Sequence, residues 1–210
     1  MRIEARNLDK HFRSVHAVKD LSFTVEPGRV TGFLGPNGSG KSTTMRLMLG
    51  LDSGGGETLY DGKKLSSHHP VTRTIGAHLD AKFFHPKRTA YSHLRMLGAE
   101  AGISKARVHE VLKLVGLESV AKKRPGGFSL GMGQRLGLAG AILADPQVLM
   151  LDEPANGLDP QSIQWLRDFL KHYASTGKSV LVSSHLLSEM ELLADDVVVI
   201  ARGNLIAAES

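Results

Sequence analysis

The amino-acid sequence predicts an α/β fold, in which a mostly parallel sheet is combined with an N-terminal antiparallel β layer and a helical insert. Strand and hairpin patterns fill about the first 60 residues, and helical periodicity follows from about residue 86 to residue 144. Strands then alternate with helices towards residue 210. This alternation is typical of a largely parallel sheet that is covered by helices.

The composition is that of a globular protein. The 210 residues are 41% hydrophobic and 22% charged with a net charge of +5, which fits one domain and excludes a disordered or collagen-like chain. The absence of cysteine excludes disulfides, thiol catalysis and cysteine-bound metal. No apolar run approaches the roughly 20 residues of a membrane helix, and the N-terminal segment lacks a secretory signal. We therefore expect a cytoplasmic chain that reaches a membrane only through a partner.

Local patterns predict the first elements in order. Residues 21–25 alternate between apolar and polar side chains, and Asp61-Gly62 lies between two short strands as a hairpin turn. These features predict the antiparallel β layer. An apolar strand at 30–34 then precedes a glycine-rich turn and a helix that begins at about Lys41 and ends at Gly50.

The later elements follow from a change of period. The insert contains a helix behind Ser104, a predicted N-cap, with apolar residues at helical spacing: Val108, Val111, Leu112 and Val115. Downstream we predict strands at 148–151, 180–183 and 197–200 and a strand-like segment at 205–208. Helices are expected from residue 160 and at about 186–194.

The segment GPNGSGKS, residues 35–42, fits the phosphate-loop pattern G-x-x-x-x-G-K-[ST] and lies after a strand and before a helix. In such a loop, backbone N–H groups converge on a phosphate, which requires glycine at Gly38 and Gly40. Lys41 would reach the β- and γ-phosphates, and Ser42 would bind Mg²⁺. The alternative is a chance glycine-rich turn, but the flanking strand and helix favour nucleotide binding.

Two acidic residues follow the apolar strand at 148–151. Asp152 and Glu153 should emerge at the carboxyl edge of the sheet, where open α/β sheets bind ligands. Asp152 is then placed for the Mg²⁺ shell and Glu153 for an attacking water. Taken alone, such a pair is more typical of a solvated loop or a helix cap, so the assignment depends on neighbouring motifs.

Three further segments match motifs that occur together in one family. FSLGMGQR at 128–135 resembles the signature segment, NGLD at 156–159 resembles the D-loop, and His185 after an apolar strand resembles the switch histidine of ATP-binding cassette ATPases. The resemblance covers essentially the whole chain. IGAHLD at 75–80 ends in an acid where most members have Gln, which is similar to the ATPase subunits of drug and bacteriocin exporters of the bacitracin-resistance type.

The resemblance implies a single nucleotide-binding domain over residues 1–210. Its ATP-binding core and β layer would span about 1–80 and 145–210, and its helical subdomain about 81–144. The implied cofactors are ATP and Mg²⁺. The implied ATP-binding residues are Phe12, Val18, Gly35, Asn37, Gly38, Ser39, Gly40, Lys41, Ser42, Thr43 and Asp80. The implied catalytic residues are Lys41, Glu153 and His185, and the implied metal ligands are Ser42, Asp152 and Asp80.

The resemblance also implies a head-to-tail homodimer or pseudo-dimer of such domains. Ser129, Gly131 and Met132 would contact the γ-phosphate held by the other chain, and Asp159 would lie at the dimer interface. The chain would hydrolyse ATP at the cytoplasmic face of the plasma membrane as a peripheral subunit. It would power a separate integral membrane permease that exports a drug or peptide antibiotic.

The sequence also leaves alternative functions open. The basic residues form short clusters without interleaved aromatics, which favours a solvated surface, and no nucleic-acid partner is expected. The alternatives are a soluble cassette ATPase that acts on DNA or ribosomes and a nucleotide-gated scaffold without turnover.

Several positions depart from the family pattern or have two interpretations. Leu130 and Met132 replace a Gly and a Gln of the commonest signature, which affects how closely the helix tip approaches phosphate. Asp80 would lie near Mg²⁺ but would repel the γ-phosphate if no metal intervened. Phe12 is either an adenine-stacking residue or part of the β-layer core.

Five histidines lie close together in the sequence: His68, His69, His78, His85 and His93. None of the pairs has the helical spacing with a carboxylate that is typical of a zinc site. We therefore expect this region to be a surface loop.

Overall fold

The computed structural model describes residues 1–80, 84–85 and 87–209. Outside the described residues lie 81–83, 86 and 210. Residues 81–83 are at the predicted start of the helical subdomain, and residue 86 is the predicted start of the helical pattern. The strands are β1 Ile3–Phe12, β2 Val15–Val25, β3 Val30–Leu34, β4 Gly55–Tyr60, β5 Lys63–Lys64, β6 Ile75–His78, β7 Val148–Leu151, β8 Ser179–Ser184, β9 Asp196–Ala201 and β10 Asn204–Glu209. The α-helices are α1 Lys41–Met48, α2 Val71–Thr74, α3 Ala90–Leu97, α4 Lys105–Leu114, α5 Leu130–Ala141, α6 Pro160–Ser175 and α7 Leu187–Leu193.

The strands form two sheets. An antiparallel sheet of four strands has the order β2-β1-β4-β5, and a six-stranded sheet has the order β10-β9-β3-β8-β7-β6. In the six-stranded sheet, β9, β3, β8, β7 and β6 pair in parallel, and β10 pairs with β9 in the antiparallel direction at one edge. The predicted α/β class is confirmed. The predicted hairpin turn at Asp61-Gly62 is also confirmed, since it joins β4 to β5.

Side-chain alternation along β7 divides the hydrophobic core into two layers. Val148 and Met150 face the antiparallel sheet and α1, in a core that also contains Met45. Leu149 and Leu151 face the helices on the other side of the sheet. Because both faces of β7 are buried, its sequence is an uninterrupted apolar run rather than an alternating one.

Helices α3 to α6 each begin after a residue whose side chain caps the helix. The Ser104 hydroxyl accepts a hydrogen bond from the Arg107 N–H, as the sequence predicts. The predicted apolar face behind this cap is fully buried and comprises Val108, Val111, Leu112 and Val115. Within the described ranges, none of the helices has the length and apolar character needed to cross a membrane.

Two of the clustered histidines are buried, so the expectation of a surface loop is wrong for them. His78, at the end of β6, is 4% exposed, and its Nε2 lies 2.7 Å from Gln134 Oε1 on α5. The ring fits there because Gly137 has no side chain, since a β-carbon at that position would lie 2.1 Å from it. His93 is 2% exposed on α3. The strand β6 is four residues long, too short to show alternation in the sequence.

The close approach of β6 to α5 predicts a stability effect at Gly76. A β-carbon at this position would lie 1.9 Å from the Ala141 carbonyl oxygen, so Gly76→Ala forces the backbone of the strand or helix to move. We expect it to lower the free energy of unfolding by about 1–3 kcal/mol, the usual cost of overpacking, in urea denaturation followed by circular dichroism. Ala77→Ser, on the exposed side of the same strand, is the matched control and should unfold like the wild type. Equal midpoints for Gly76→Ala and Ala77→Ser would contradict the prediction.

Candidate functional site

The loop at residues 35–42 connects β3 to α1 and depends on two glycines. Gly38 has φ +76° and Gly40 has φ +108°, in the left-handed region that glycine occupies without strain. At Gly40 a β-carbon would also lie 2.5 Å from the Ala17 carbonyl oxygen. The predicted requirement for glycine at these two positions is therefore confirmed. Around them, Gly35 and Ser39 are buried, Asn37 and Ser42 are exposed, and Thr43 is half-buried.

The loop suits a phosphate because it ends at a helix N-terminus. The first N–H groups of α1 have no intrahelical acceptor, and the helix places partial positive charge there. The N-cap residue is Gly40, whose lack of a side chain leaves these donors uncapped. Oriented N–H groups of this kind form an anion site. The residues present therefore fit the phosphates of a nucleotide.

Lys41 brings a buried positive charge to this loop. The residue is 5% exposed, and its Nζ donates a hydrogen bond to the Gly35 carbonyl oxygen at 2.7 Å. The Nζ also lies 3.2 Å from Glu153 Oε1. A buried ammonium group needs such anionic and carbonyl partners to offset its lost hydration.

The two acidic residues after β7 are held by the strands on either side of it. The Ser183 hydroxyl on β8 donates to Asp152 Oδ1 and accepts the Glu153 N–H at 2.9 Å. On the other side, the Asp152 N–H donates to the His78 carbonyl of β6 at 2.9 Å. The predicted emergence of both acids at the carboxyl edge of the sheet is confirmed by these contacts.

The Glu153 carboxylate bridges the loop and the switch histidine position. Glu153 has φ +46°, a conformation that costs energy in a non-glycine residue and is common at functional sites. Its Oε2 lies 2.9 Å from His185 Nδ1 and accepts a hydrogen bond from Asn156 Nδ2 at 2.6 Å. Together with the Lys41 contact at Oε1, these bonds occupy both carboxylate oxygens.

The electrostatic balance keeps Glu153 ionised. Burial by itself raises the pKa of its carboxyl group, but the hydrogen bonds and charges of Lys41 and His185 outweigh burial and hold the pKa below its ordinary value. A carboxylate that is charged at neutral pH is suited to accept a proton or to orient water.

The signature segment lies at the N-terminus of α5. Ser129 caps this helix by accepting a hydrogen bond from the Met132 N–H at 3.2 Å, and its side chain faces solvent. Leu130 packs against Gly157, where a β-carbon would lie 2.1 Å from Leu130 Cδ2. A β-carbon at Gly131 would lie 3.2 Å from Leu158. Within one chain, the signature segment thus contacts residues 156–159.

Asp159, at the end of this segment, caps α6. Its Oδ1 accepts the Ser162 N–H at 2.9 Å, and its Oδ2 accepts the Ser162 hydroxyl at 2.8 Å. Arg135 on α5 donates to the same hydroxyl at 2.9 Å. The backbone hydrogen bond from Ser162, followed by the bond from its hydroxyl, lowers the pKa of Asp159. The segment at 156–159 is therefore bound to both α5 and α6.

The predicted adenine-side residues differ in exposure. Phe12 is 47% exposed, which shows that the β-layer-core interpretation is wrong, and Lys10 Nζ lies 4.8 Å from its ring centroid. Val18 is 1% exposed, with its Cγ2 3.6 Å from a β-carbon placed at Gly40, so it supports the loop from beneath. Asp80 is exposed beyond β6, at the sheet edge that also carries Asp152.

Comparison with known proteins identifies the family. The model of the ABC transporter family matches residues 18–156. The chain belongs to the ATP-binding cassette family. It is an ATP-binding subunit of an ABC transporter and an ATPase, as the motifs at 35–42, 128–135 and 152–159 predict.

The relatives include ATP-binding proteins named for bacitracin and lantibiotic transport. The chain is 42% identical over 208 residues to the uncharacterized ABC transporter ATP-binding protein YhcH of Bacillus subtilis, which covers 97% of this chain and 68% of the relative. It is 37% identical to the bacitracin transport ATP-binding protein BcrA of Enterococcus faecalis, with the same coverage. It is 35% identical over 205 residues to the lantibiotic transport ATP-binding protein SrtF of Streptococcus pyogenes, covering 97% of this chain and 89% of the relative. The predicted subgroup resemblance is confirmed.

Solved structures show the same fold. An ATP-binding subunit of an ABC transporter superimposes with a TM-score of 0.89 at 27% identity, covering 100% of this chain and 90% of that one. The cbiO1 protein of Clostridium perfringens, part of the ABC transporter complex cbiONQ, superimposes with a TM-score of 0.81 at 25% identity, covering 99% of this chain and 87% of that one.

Two residues that contact the acidic pair of this ABC ATPase were missed by sequence reasoning. Ser183 lies at the end of an apolar run and binds both acidic residues, and Asn156 binds Glu153 from within the D-loop motif. The sequence signal for Ser183 is a polar residue near the end of an apolar strand, when that strand is expected to lie next to the strand that carries the acidic pair. Asn156 carries no comparable signal, because its contact depends on how the chain turns after Glu153.

The two cationic partners of Glu153 predict how its carboxyl group titrates. In the wild type the carboxyl should titrate below the ordinary glutamate value of about 4.3, and the ion pair with Lys41 is present above that pKa and lost as pH falls through it. In Lys41→Met the burial that raises the pKa remains while its main opposing charge is gone, so the midpoint should rise. Carboxyl carbon NMR shifts measure both midpoints. The control is Lys171→Met, which removes an exposed lysine on α6 and should leave the Glu153 midpoint unchanged. An unchanged midpoint in Lys41→Met would contradict the prediction.

Proposed function

We propose that this subunit works as a head-to-tail dimer in which ATP hydrolysis powers export of a drug or peptide antibiotic through a separate membrane permease. The observation that carries the proposal is the meeting of Lys41, Glu153 and His185 at one edge of the sheet. The relatives named for bacitracin and lantibiotic transport support the class of cargo. Attachment to a permease would place the subunit at the cytoplasmic face of the plasma membrane as a peripheral protein.

Within one chain, we assign phosphate binding to the loop and its helix. The N–H groups of residues 38–43 and Lys41 Nζ would bind the phosphates, with Phe12 stacking on adenine and Val18 supporting Gly40. The Ser42 hydroxyl and the Asp152 carboxylate, with Asp80 at the same edge, are the oxygen donors that Mg²⁺ prefers. Bound Mg²⁺ would supply positive charge that offsets the phosphate oxygens.

The contacts of Lys41 suggest how hydrolysis is prepared. In this structure Lys41 neutralises Glu153 Oε1 at 3.2 Å. Phosphate oxygens offer the ammonium group a stronger anionic partner, so nucleotide binding would draw Lys41 from Glu153 and free Oε1 for a water molecule. Glu153 would accept a proton from that water as a general base, and His185 would hold Oε2 and the terminal phosphate.

The signature segment would serve the site of a second chain. Ser129 is exposed at a helix N-terminus, and Gly131 lies in the first turn, where backbone N–H groups have no intrahelical acceptor. The Met132 N–H donates to Ser129 Oγ, so the Ser129 hydroxyl and the Gly131 N–H are the donors that the segment offers. A head-to-tail dimer would bring these donors to the other chain's γ-phosphate, with Asp159 at the interface. The proposed domain division follows the same scheme, with residues 81–144 as a helical subdomain and 1–80 with 145–210 as the ATP-binding core.

The proposed roles predict separate effects for two substitutions. Glu153→Gln should bind ATP with near-wild-type affinity, lose hydrolysis by about 10²-fold or more, and accumulate as a dimer with ATP. Lys41→Ala should lose nucleotide affinity. Fluorescent-nucleotide binding, phosphate release and light scattering measure the three properties. Glu191→Gln, exposed on α7, is the matched control and should behave as wild type. Equal turnover by Glu153→Gln and wild type would remove the base assignment.

The proposed permease predicts what accompanies the protein in native membranes. The tagged full chain, as wild type and as Glu153→Gln, is captured from mildly solubilised membranes with and without ATP, and co-purifying proteins are identified by mass spectrometry. A membrane protein with several spanning segments is expected with both forms. Capture with Lys41→Ala controls for dependence on nucleotide. Recovery of ribosomal or DNA-bound proteins instead of a membrane partner would overturn the proposal in favour of the soluble branch of the family.

A further inference from the structure

The hairpin between β1 and β2 carries a cluster of metal-ligating side chains outside the site described above. His11 on β1 pairs directly with His16 on β2, and Asp9 lies two residues before His11. The contacts of the Asp9 carboxylate with both imidazole rings show that the three side chains lie on the same side of the hairpin. Lys10 and Phe12 occupy the opposite side, where the Lys10 ammonium lies over the Phe12 ring.

The three side chains converge on one point. Asp9 Oδ2 lies 2.7 Å from His16 Nε2, and Asp9 Oδ1 lies 3.6 Å from His11 Nε2. One ligand atom from each residue falls within 4.8 Å of the other two. The two imidazole rings are stacked with centroids 3.7 Å apart and planes 21° apart. Across residues 1–80, 84–85 and 87–209, this is the only group of three or more His, Cys, Asp or Glu side chains that lie close enough together to hold one ion.

We propose that Asp9, His11 and His16 form a binding site for one divalent transition-metal ion of the zinc class. Two imidazole nitrogens and one carboxylate oxygen are a donor set that zinc and its neighbours accept, with water completing the coordination. Mg²⁺ and Ca²⁺ are poor fits because they prefer oxygen ligands.

The geometry requires small adjustments that the exposed side chains permit. Bonds of about 2.0–2.1 Å in a tetrahedral site place ligand atoms about 3.3 Å apart, so the Asp9–His16 contact must open and the His11 ring must turn out of its stack. The His11 side chain is 58% exposed and can turn freely, whereas the His16 and Asp9 side chains are 33% and 35% exposed and need only a small shift. The ion would replace the proton that His16 and Asp9 share at 2.7 Å.

A metal at this place would join the end of β1 to the start of β2. His11 directly precedes Phe12, which is 47% exposed at the end of the same strand. The ion would therefore order the part of the hairpin that holds the Phe12 ring. This consequence for adenine binding rests on the proposed function, whereas the metal site itself does not.

The test is zinc titration of the full chain without a histidine tag, stripped by chelator and kept in excess Mg²⁺ without nucleotide. Isothermal calorimetry should find one Zn²⁺ per chain. His16→Asn and His11→Asn should each weaken this binding by about tenfold or more, because even residues that only orient metal ligands contribute 10–100-fold. The chain has ten histidines, so the matched control removes one outside the proposed site. His172→Asn, exposed on α6, should bind Zn²⁺ as the wild type does.

A second readout separates a built site from scattered surface histidines. Co²⁺ in a site with few ligands and low symmetry gives strong visible absorption, which should appear at one equivalent in the wild type and His172→Asn and be absent in His16→Asn. Less than half an equivalent of Zn²⁺ in the wild type, or equal binding by His16→Asn and wild type, would overturn the proposal. Circular dichroism verifies that the variants are folded. Since ATP is absent throughout, failure of the metal site leaves the proposed transport function unaffected.

Discussion

The buried ammonium group of Lys41 is the constraint on which the arrangement of the site depends. A charge that is 5% exposed is stable only if nearby groups replace its hydration, and here the Gly35 carbonyl and Glu153 do so. Lys41 begins α1 after β3, whereas Glu153 follows β7, and the strand order puts β8 between them. To form the ion pair, the loop after β3 must therefore extend across the end of β8, and the chain at Glu153 must turn towards that loop. The left-handed backbone of Glu153 accomplishes that turn.

Strand β8 makes this convergence possible because it lies between β3 and β7, and because residues at its carboxyl end contact the acidic pair. It pairs with β3 so that Leu34 is level with Ser184, and with β7 so that Leu151 is level with Val182. The carboxyl ends of the three strands consequently meet at one edge. Ser183 then holds the acidic pair, while His185, just beyond the strand, binds Glu153. A parallel sheet with these registers thus brings together groups more than a hundred residues apart in the sequence.

The sequence could predict what is encoded locally. Apolar runs predicted four of the five parallel strands, β3, β7, β8 and β9, and missed β6. Helical spacing behind Ser104 predicted α4, and the glycine positions of the loop followed from the conformations that a phosphate site demands. Contacts between distant segments were less accessible. The burial of His78 depends on the missing side chain of Gly137, and the exposure of Phe12 depends on where the hairpin ends. Neither dependence produces a periodic pattern in the sequence.

The same distinction explains the metal-ligating cluster on the hairpin. Asp9, His11 and His16 have spacings of two and five residues, which carry no helical or zinc-finger pattern. Their convergence appears only once the β1–β2 register pairs His11 with His16. That register includes a bulge between Lys10 and His11, an irregularity that strand propensity does not predict.

Helix α5 shows how the departures from the common signature are accommodated. Leu130, in place of a glycine, packs against Gly157 of its own chain, so a residue with any side chain at 157 would collide with it. The added bulk is thus partly absorbed within the chain, and Ser129 remains exposed at the helix tip. Further along α5, Gln134 binds His78 and Arg135 binds Ser162. Because these contacts join α5 to β6 and to the start of α6, a shift of the signature end must either break these two hydrogen bonds or move the strand that precedes Asp80 and the cap formed by Asp159.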